Sequence, residues 1–124
     1  MGTQHIWKIG TRATAGTIEN QGTILVNTYQ SASRYLDIGN YATLDTFINS
    51  GTMRNETGGG SGNEMLIAWE NGTINNLINK GTIYGHTGVI HSKSGTIKNM
   101  LFSGPNSVTQ AGSGNAINIY QASN

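Results

Sequence analysis

Six times in 124 residues the chain writes Gly-Thr followed by Ile or Met, beginning at Gly16, Gly22, Gly51, Gly72, Gly81 and Gly95. A turn residue, a β-branched polar residue and an apolar residue in that order start a short strand. A start repeated so often implies strands stacked on copies of themselves, as in a solenoid. Helical spacing fits poorly, because Gly, Thr and Asn interrupt every window in which an apolar helix face could form.

Ten-residue units align by eye. Leu44-Asp45-Thr46-Phe47-Ile48-Asn49-Ser50-Gly51-Thr52-Met53 matches Ile74-Asn75-Asn76-Leu77-Ile78-Asn79-Lys80-Gly81-Thr82-Ile83. A third copy begins at Ile97 and breaks at Pro105, and a shortened one runs from Gly16 to Ile24. Strand-like runs at Met65-Leu66-Ile67, Val89-Ile90 and Ala116-Ile117-Asn118-Ile119-Tyr120 lie between or after the units. With Ile18, Leu44, Ile74 and Ile97 taken as equivalent, the period is 26, 30 and 23 residues, enough for three short strands and three turns. The expected fold is all-β: a parallel β-helix of four to five coils, 23–30 residues per coil, with 1–124 forming one solenoid segment. Equivalent side chains would then lie about 4.8 Å apart along the axis. Three inward rows are expected: Ile18, Leu44, Ile74 and Ile97; Ile24, Met53 and Ile83; Phe47, Leu77 and Met100. Each buried aliphatic chain contributes roughly 1.5–3 kcal/mol, so the stack holds where one unit could not.

Composition agrees with that picture. Apolar residues are only 35% and charged residues 10%, while Thr and Asn number 15 each and Gly 18. A disordered chain this polar would carry more charge and more than the single proline. A net charge of +1, with Lys and Arg scattered, leaves no footprint for nucleic acid. There is no Cys, so stability must come from stacking without disulfides. No apolar run approaches a membrane span and no signal-peptide pattern precedes the repeats. An exported protein of this kind is therefore expected to have more chain than this segment.

Gly72-Thr73-Ile74-Asn75-Asn76-Leu77-Ile78-Asn79-Lys80-Gly81-Thr82-Ile83 resembles the repeat of bacterial autotransporter passengers, which commonly reads Gly-Thr-Ile-x-Asn-Leu-x-Asn-x-Gly-Thr-Ile. The similarity covers roughly residues 14–120. The resemblance implies a right-handed β-helix, the hand that parallel crossovers also favour. It implies a bacterial cell-surface or secreted protein, of adhesin or toxin type, meeting a host-cell or bacterial-surface glycan or protein. No Gly-Asp-Ser-Gly-like motif is present, so the protease activity of some passengers does not carry over.

Candidate chemistry is sparse. The alignment puts Glu19, Asp45, Asn75 and Lys98 in one outward row, with Glu19 stacked beside Asp45. Such a carboxylate pair is what a polysaccharide-cleaving β-helix, such as a tailspike or lyase, would need; that enzyme and a purely structural spacer are the alternatives to a rigid stalk or adhesive segment. Residues 55–63 read as a loop insertion around Gly58-Gly59-Gly60-Ser61-Gly62. Asn55, Glu56, Asn63 and Glu64 bracket it with oxygen ligands of the kind Ca²⁺ takes, although a flexible loop with solubilising ends is the simpler account. Trp69, Tyr84 and Tyr120 lie beside inward positions, where rings could stack on sugars or anchor a protein. The expected binding set is Asn55, Glu56, Asn63, Glu64, Trp69 and Tyr84. No cofactor, metal, nucleic acid or membrane insertion is expected. His86 and His91 make a poor metal site without Cys or a carboxylate nearby. Paired outward Thr, which an ice-binding face needs, are absent from the pattern. Open strand edges at the ends of a solenoid imply either capping by the terminal residues or end-to-end self-association.

Overall fold

Wherever Thr or Asn alternates with an aliphatic residue the chain extends, and the connections that follow contain Gly everywhere except between β3 and β4. In the computed structural model residues 5–26, 34–55, 66–69, 71–85, 89–105, 107–111 and 116–120 are described. They hold thirteen strands and no helix: β1 (His5–Ile9), β2 (Thr14–Asn20), β3 (Thr23–Val26), β4 (Arg34–Ile38), β5 (Thr43–Asn49), β6 (Thr52–Asn55) and β7 (Leu66–Trp69). The series continues with β8 (Thr73–Asn79), β9 (Thr82–Gly85), β10 (Ile90–Lys93), β11 (Thr96–Phe102), β12 (Val108–Ala111) and β13 (Ile117–Tyr120).

Every third strand pairs in parallel. Sheet A has the order β1-β4-β7-β10-β13, sheet B β11-β8-β5-β2 and sheet C β12-β9-β6-β3. The chain thus visits A, B and C in turn and stacks each new strand on its counterpart, so that like residues meet. The three-strand period expected from the sequence is the period observed.

Inward rows make one core. Leu44, Ile74, Phe47, Leu77, Met53 and Ile83 from sheets B and C are fully buried with Leu36 and Ile38 from sheet A. The rows Ile24-Met53-Ile83 and Phe47-Leu77-Met100 stack in register as expected. The first row does not. Leu44 pairs with Ala15, and Ile18 pairs with Phe47, so the correct rows are Ala15-Leu44-Ile74-Ile97 and Ile18-Phe47-Leu77-Met100. Gly16-Thr17-Ile18 is a coincidental copy of the motif, and 13–24 is the true counterpart of 42–53 and 72–83. The spacing of the first two units is therefore 29 residues, from Ala15 to Leu44. Ala15 is small where its row-mates are large, and Trp7 enters the same end of the core, its ring 5.5 Å from that of Phe47 at 72°.

What fixes this register lies in the second half of each unit. Asn20, Asn49 and Asn79 occupy one buried inward row at the ends of β2, β5 and β8. Asn20 Nδ2 donates to Asn49 Oδ1 at 2.9 Å, and Asn49 Nδ2 donates to Asn79 Oδ1 at 3.0 Å. Asn49 Nδ2 also reaches the carbonyls of Gly51 and Thr82. The ladder ends where Asn79 Nδ2 donates to Val108 O and Thr109 Oγ1, both at 2.9 Å. Shifting one unit by three residues would bury amides without partners, costing about 1–3 kcal/mol for each lost group.

Two corners are equally regular. Between sheets B and C, the carbonyl oxygens of Gly22 and Gly51 sit where side chains on Gly51 and Gly81 would begin, so only glycine stacks there. Gly22, on the outermost of these turns, has nothing within 4 Å of its missing Cβ. Between sheets A and B, Arg12, Tyr41, Asn71 and Ser94 recur in one row with φ of 64°, 60°, 66° and 60°. This left-handed conformation costs a non-glycine residue about 1–2 kcal/mol, least for Asn.

Candidate functional site

Connection length separates the three corners. From sheet A to B the connections have 4, 4, 3 and 2 residues, and from B to C they have 2, 2, 2 and 5. From C to A they have 7, 10, 4 and 5. The longest connections, of seven and ten residues, both fall at the C-to-A corner, which marks where the chain adds material without disturbing the stack, and such insertions often carry binding.

The expected binding residues divide around this corner. Asn55 closes β6 and is wholly buried, cross-strand from Gly85, so the insertion begins after it and its side chain faces inward. Glu56, Asn63 and Glu64 lie outside the described residues. Tyr84 sits beside the corner on the outer face of sheet C, half-buried, with the Arg54 guanidinium 4.4 Å above its ring. Arg54 and Tyr84 are direct cross-strand neighbours, in a row that begins at exposed Leu25 and ends at Gln110. Beside it runs the row Thr23-Thr52-Thr82-Val108. Trp69 is elsewhere: it ends β7, about 10 Å of strand from that corner, at a register position shared with Lys93 and Tyr120. The structure therefore places Tyr84 beside the C-to-A corner, where β6 ends and β7 begins, and Trp69 at the opposite end of β7.

The proposed carboxylate pair is not formed. Glu19 is cross-strand from Ile48, whereas Asp45 shares its outward row with Gly16, Asn75 and Lys98. The three-residue slip at Ile18 moves Glu19 out of that row. Glu19 is exposed and accepts a hydrogen bond from Ser50 Oγ at 2.8 Å. That bond, then one with Gln21, together with the charge of Lys80, holds its carboxyl below the ordinary carboxylate range. Asp45 is tied into a polar ladder: it accepts from Asn75 Nδ2 at 3.1 Å and from Thr46 Oγ1 at 3.0 Å. Asn76 Nδ2 donates to Asp45 O, and Asn99 Nδ2 to Asn76 Oδ1. The bonds from Asn75, Asn76 and Asn99 knit neighbouring strands of sheet B.

Among the described residues no three His, Asp or Glu side chains come together as metal ligands, and no helix is long and apolar enough to cross a membrane. His86 lies outside the described residues. The row Arg12-Tyr41-Asn71-Ser94 is hard to see in the sequence, because none of its members is glycine; its only signal is its place just before Ala-Thr or Gly-Thr. Arg12 lies 4.9 Å above the ring of Tyr41, a second Arg-on-Tyr contact between neighbouring units. Comparison with protein-family models, curated proteins and solved structures finds no match to this chain.

Proposed function

We propose that the chain is a right-handed parallel β-helix of four to five coils that serves a bacterial surface-exposed or secreted protein of autotransporter-passenger type as a rigid, non-enzymatic stalk with an adhesive corner. The observation that carries this reading is the contrast between corners. The B-to-C turns are locked by stacked glycines and a buried amide ladder, while the C-to-A connections reach ten residues. A rod built this way holds its shape and displays variable segments along one edge. Tyr84 and the connection that follows β6 are the part of the chain assigned to a glycan or protein on another cell. The polysaccharide-cleaving alternative needed Glu19 over Asp45, and the register separates them.

The test is a titration of labelled protein onto host and bacterial cells, beside a variant lacking 58–62. Saturable binding lost on deletion supports adhesion through this corner. Binding that survives both the deletion and Tyr84→Ala removes the corner from the reading, and no binding by the parent chain reduces the segment to a spacer.

A further inference from the structure

The corner between sheets A and B imposes a left-handed backbone angle and holds side chains that this angle does not favour. Four successive units place a residue there with φ between 60° and 66°. Asn71 shows what the geometry favours, since Asn enters the left-handed region with least strain. Tyr41 is the reverse case: a bulky ring at a strained position, with 54% of its surface exposed. Arg12, also strained and exposed, is held over that ring at 4.9 Å. Retained strain at an exposed position argues for what the side chains do there.

The surroundings narrow what could bind. Thr11 and Asn40 adjoin the pair in sequence, Asn71 takes the same place in the next unit, and Asn71 Nδ2 reaches Asn40 Oδ1 at 3.5 Å, so amides and a hydroxyl lie along this corner. The exposed large aliphatics are distant, on β3, β11 and β12. A protein hot spot needs an apolar surround that excludes water, and the described residues of this corner do not supply one. A sugar ring asks for an aromatic face with amides and hydroxyls around it. Among the described residues the exposed charges on this stretch are Lys8 and Arg12, both positive, and Asp37, beside Lys8 in register, is buried. The geometry points to a second contact surface, at Arg12 and Tyr41, for an acidic polysaccharide whose carboxylates meet Arg12. This surface is independent of the adhesive corner and stands whether or not 56–65 binds anything.

Alginate, a polyuronate, is the probe, with neutral dextran as control, and binding is followed by calorimetry on the whole chain. Saturable binding of alginate alone is expected, weakening as salt screens the charges. Arg12→Gln and Tyr41→Asn should each lower affinity at least ten-fold while the melting temperature stays level or, for Tyr41→Asn, rises. Arg54→Gln, which breaks the other Arg-on-Tyr contact, should leave binding intact. Absence of alginate binding overturns the proposal, as does equal binding of dextran. So does affinity that survives both corner variants, or that falls as far in Arg54→Gln. If Tyr41→Asn fails to fold, Arg12→Gln decides alone, since that side chain is exposed.

Discussion

Gly22, Gly51 and Gly81 offer a comparison in which one substitution is made at three equivalent places that differ only in what lies beneath. A methyl group on Gly51 would fall on the carbonyl oxygen of Gly22, and one on Gly81 on that of Gly51, while one on Gly22 would meet nothing within 4 Å. None of the three has positive φ, so the backbone itself accepts Ala and the effect is steric. Relief requires the two turns to move apart. The bonds then at risk for Gly51→Ala are Gly51 N to Asn20 O (3.1 Å), Thr52 N to Gly22 O (2.9 Å) and Asn20 Nδ2 to Asn49 Oδ1 (2.9 Å). At a net contribution of about 1 kcal/mol each, the loss is about 3 kcal/mol. Gly81→Ala endangers the matching set between Asn49, Gly51 and Thr82 and should cost a similar amount. Gly22→Ala should be neutral or stabilising by about 0.4–1 kcal/mol, through the entropy of the unfolded chain. Urea titrations followed by far-ultraviolet circular dichroism would read all three midpoints on one scale. If Gly22→Ala proves as damaging as Gly51→Ala, steric stacking is not why glycine is there and the argument is refuted.

Other expectations follow from the same contacts. Asn49→Ala removes an amide with three acceptors from a fully buried site and should cost about 3–5 kcal/mol by urea titration, more than Asn20→Ala at the end of the ladder. Asn49→Asp puts a buried carboxyl among carbonyl oxygens, which raises its folded pKa above the unfolded value. That variant should be most stable in acid and lose stability as pH rises through the unfolded value, and a flat pH profile would contradict this. The Glu19 carboxyl shifts the other way: its stabilising contribution is present above the ordinary carboxylate range and is lost as pH falls through the lowered value. Ser50→Ala removes the largest cause, so a carboxylate titration by NMR should show the Glu19 pKa rising toward its ordinary value. Phe47→Ala should cost about 3–5 kcal/mol and change the fluorescence of Trp7, whose ring meets it edge-on.

The stacking was legible because Gly-Thr-Ile recurs, and the Met53-Ile83 and Leu77-Met100 pairings were read directly from aligned units. The slip at Ile18 shows where such reading fails. Gly16-Thr17-Ile18 matches the motif better than 13–15 does, yet position in the stack is set by Asn20 and Gly22 further along, through an amide and a glycine that look like ordinary turn residues in sequence. The carboxylate pair was an artefact of the same slip. Asn55 read as loop because Asn commonly ends strands, and only burial against Gly85 places it inside. The left-handed row was hidden by its own variety, since Arg, Tyr, Asn and Ser share no chemistry; what they share is a backbone angle imposed by the corner.

The amide ladder has an electrical consequence. Along it, each side-chain N–H points from one unit toward the next: Asn20 to Asn49, Asn49 to Asn79, Asn79 to Val108. The backbone bonds at the same corner point the opposite way, from Ser50 to Asn20, Lys80 to Asn49 and Ser103 to Asn79. An α-helix sums its aligned peptide dipoles into partial charges at its ends. Here the side-chain column runs antiparallel to the backbone dipoles beside it, so the two attract across the gap and partly offset each other along the axis. Each unit added at this corner brings both columns with it, and the offset is renewed at every step.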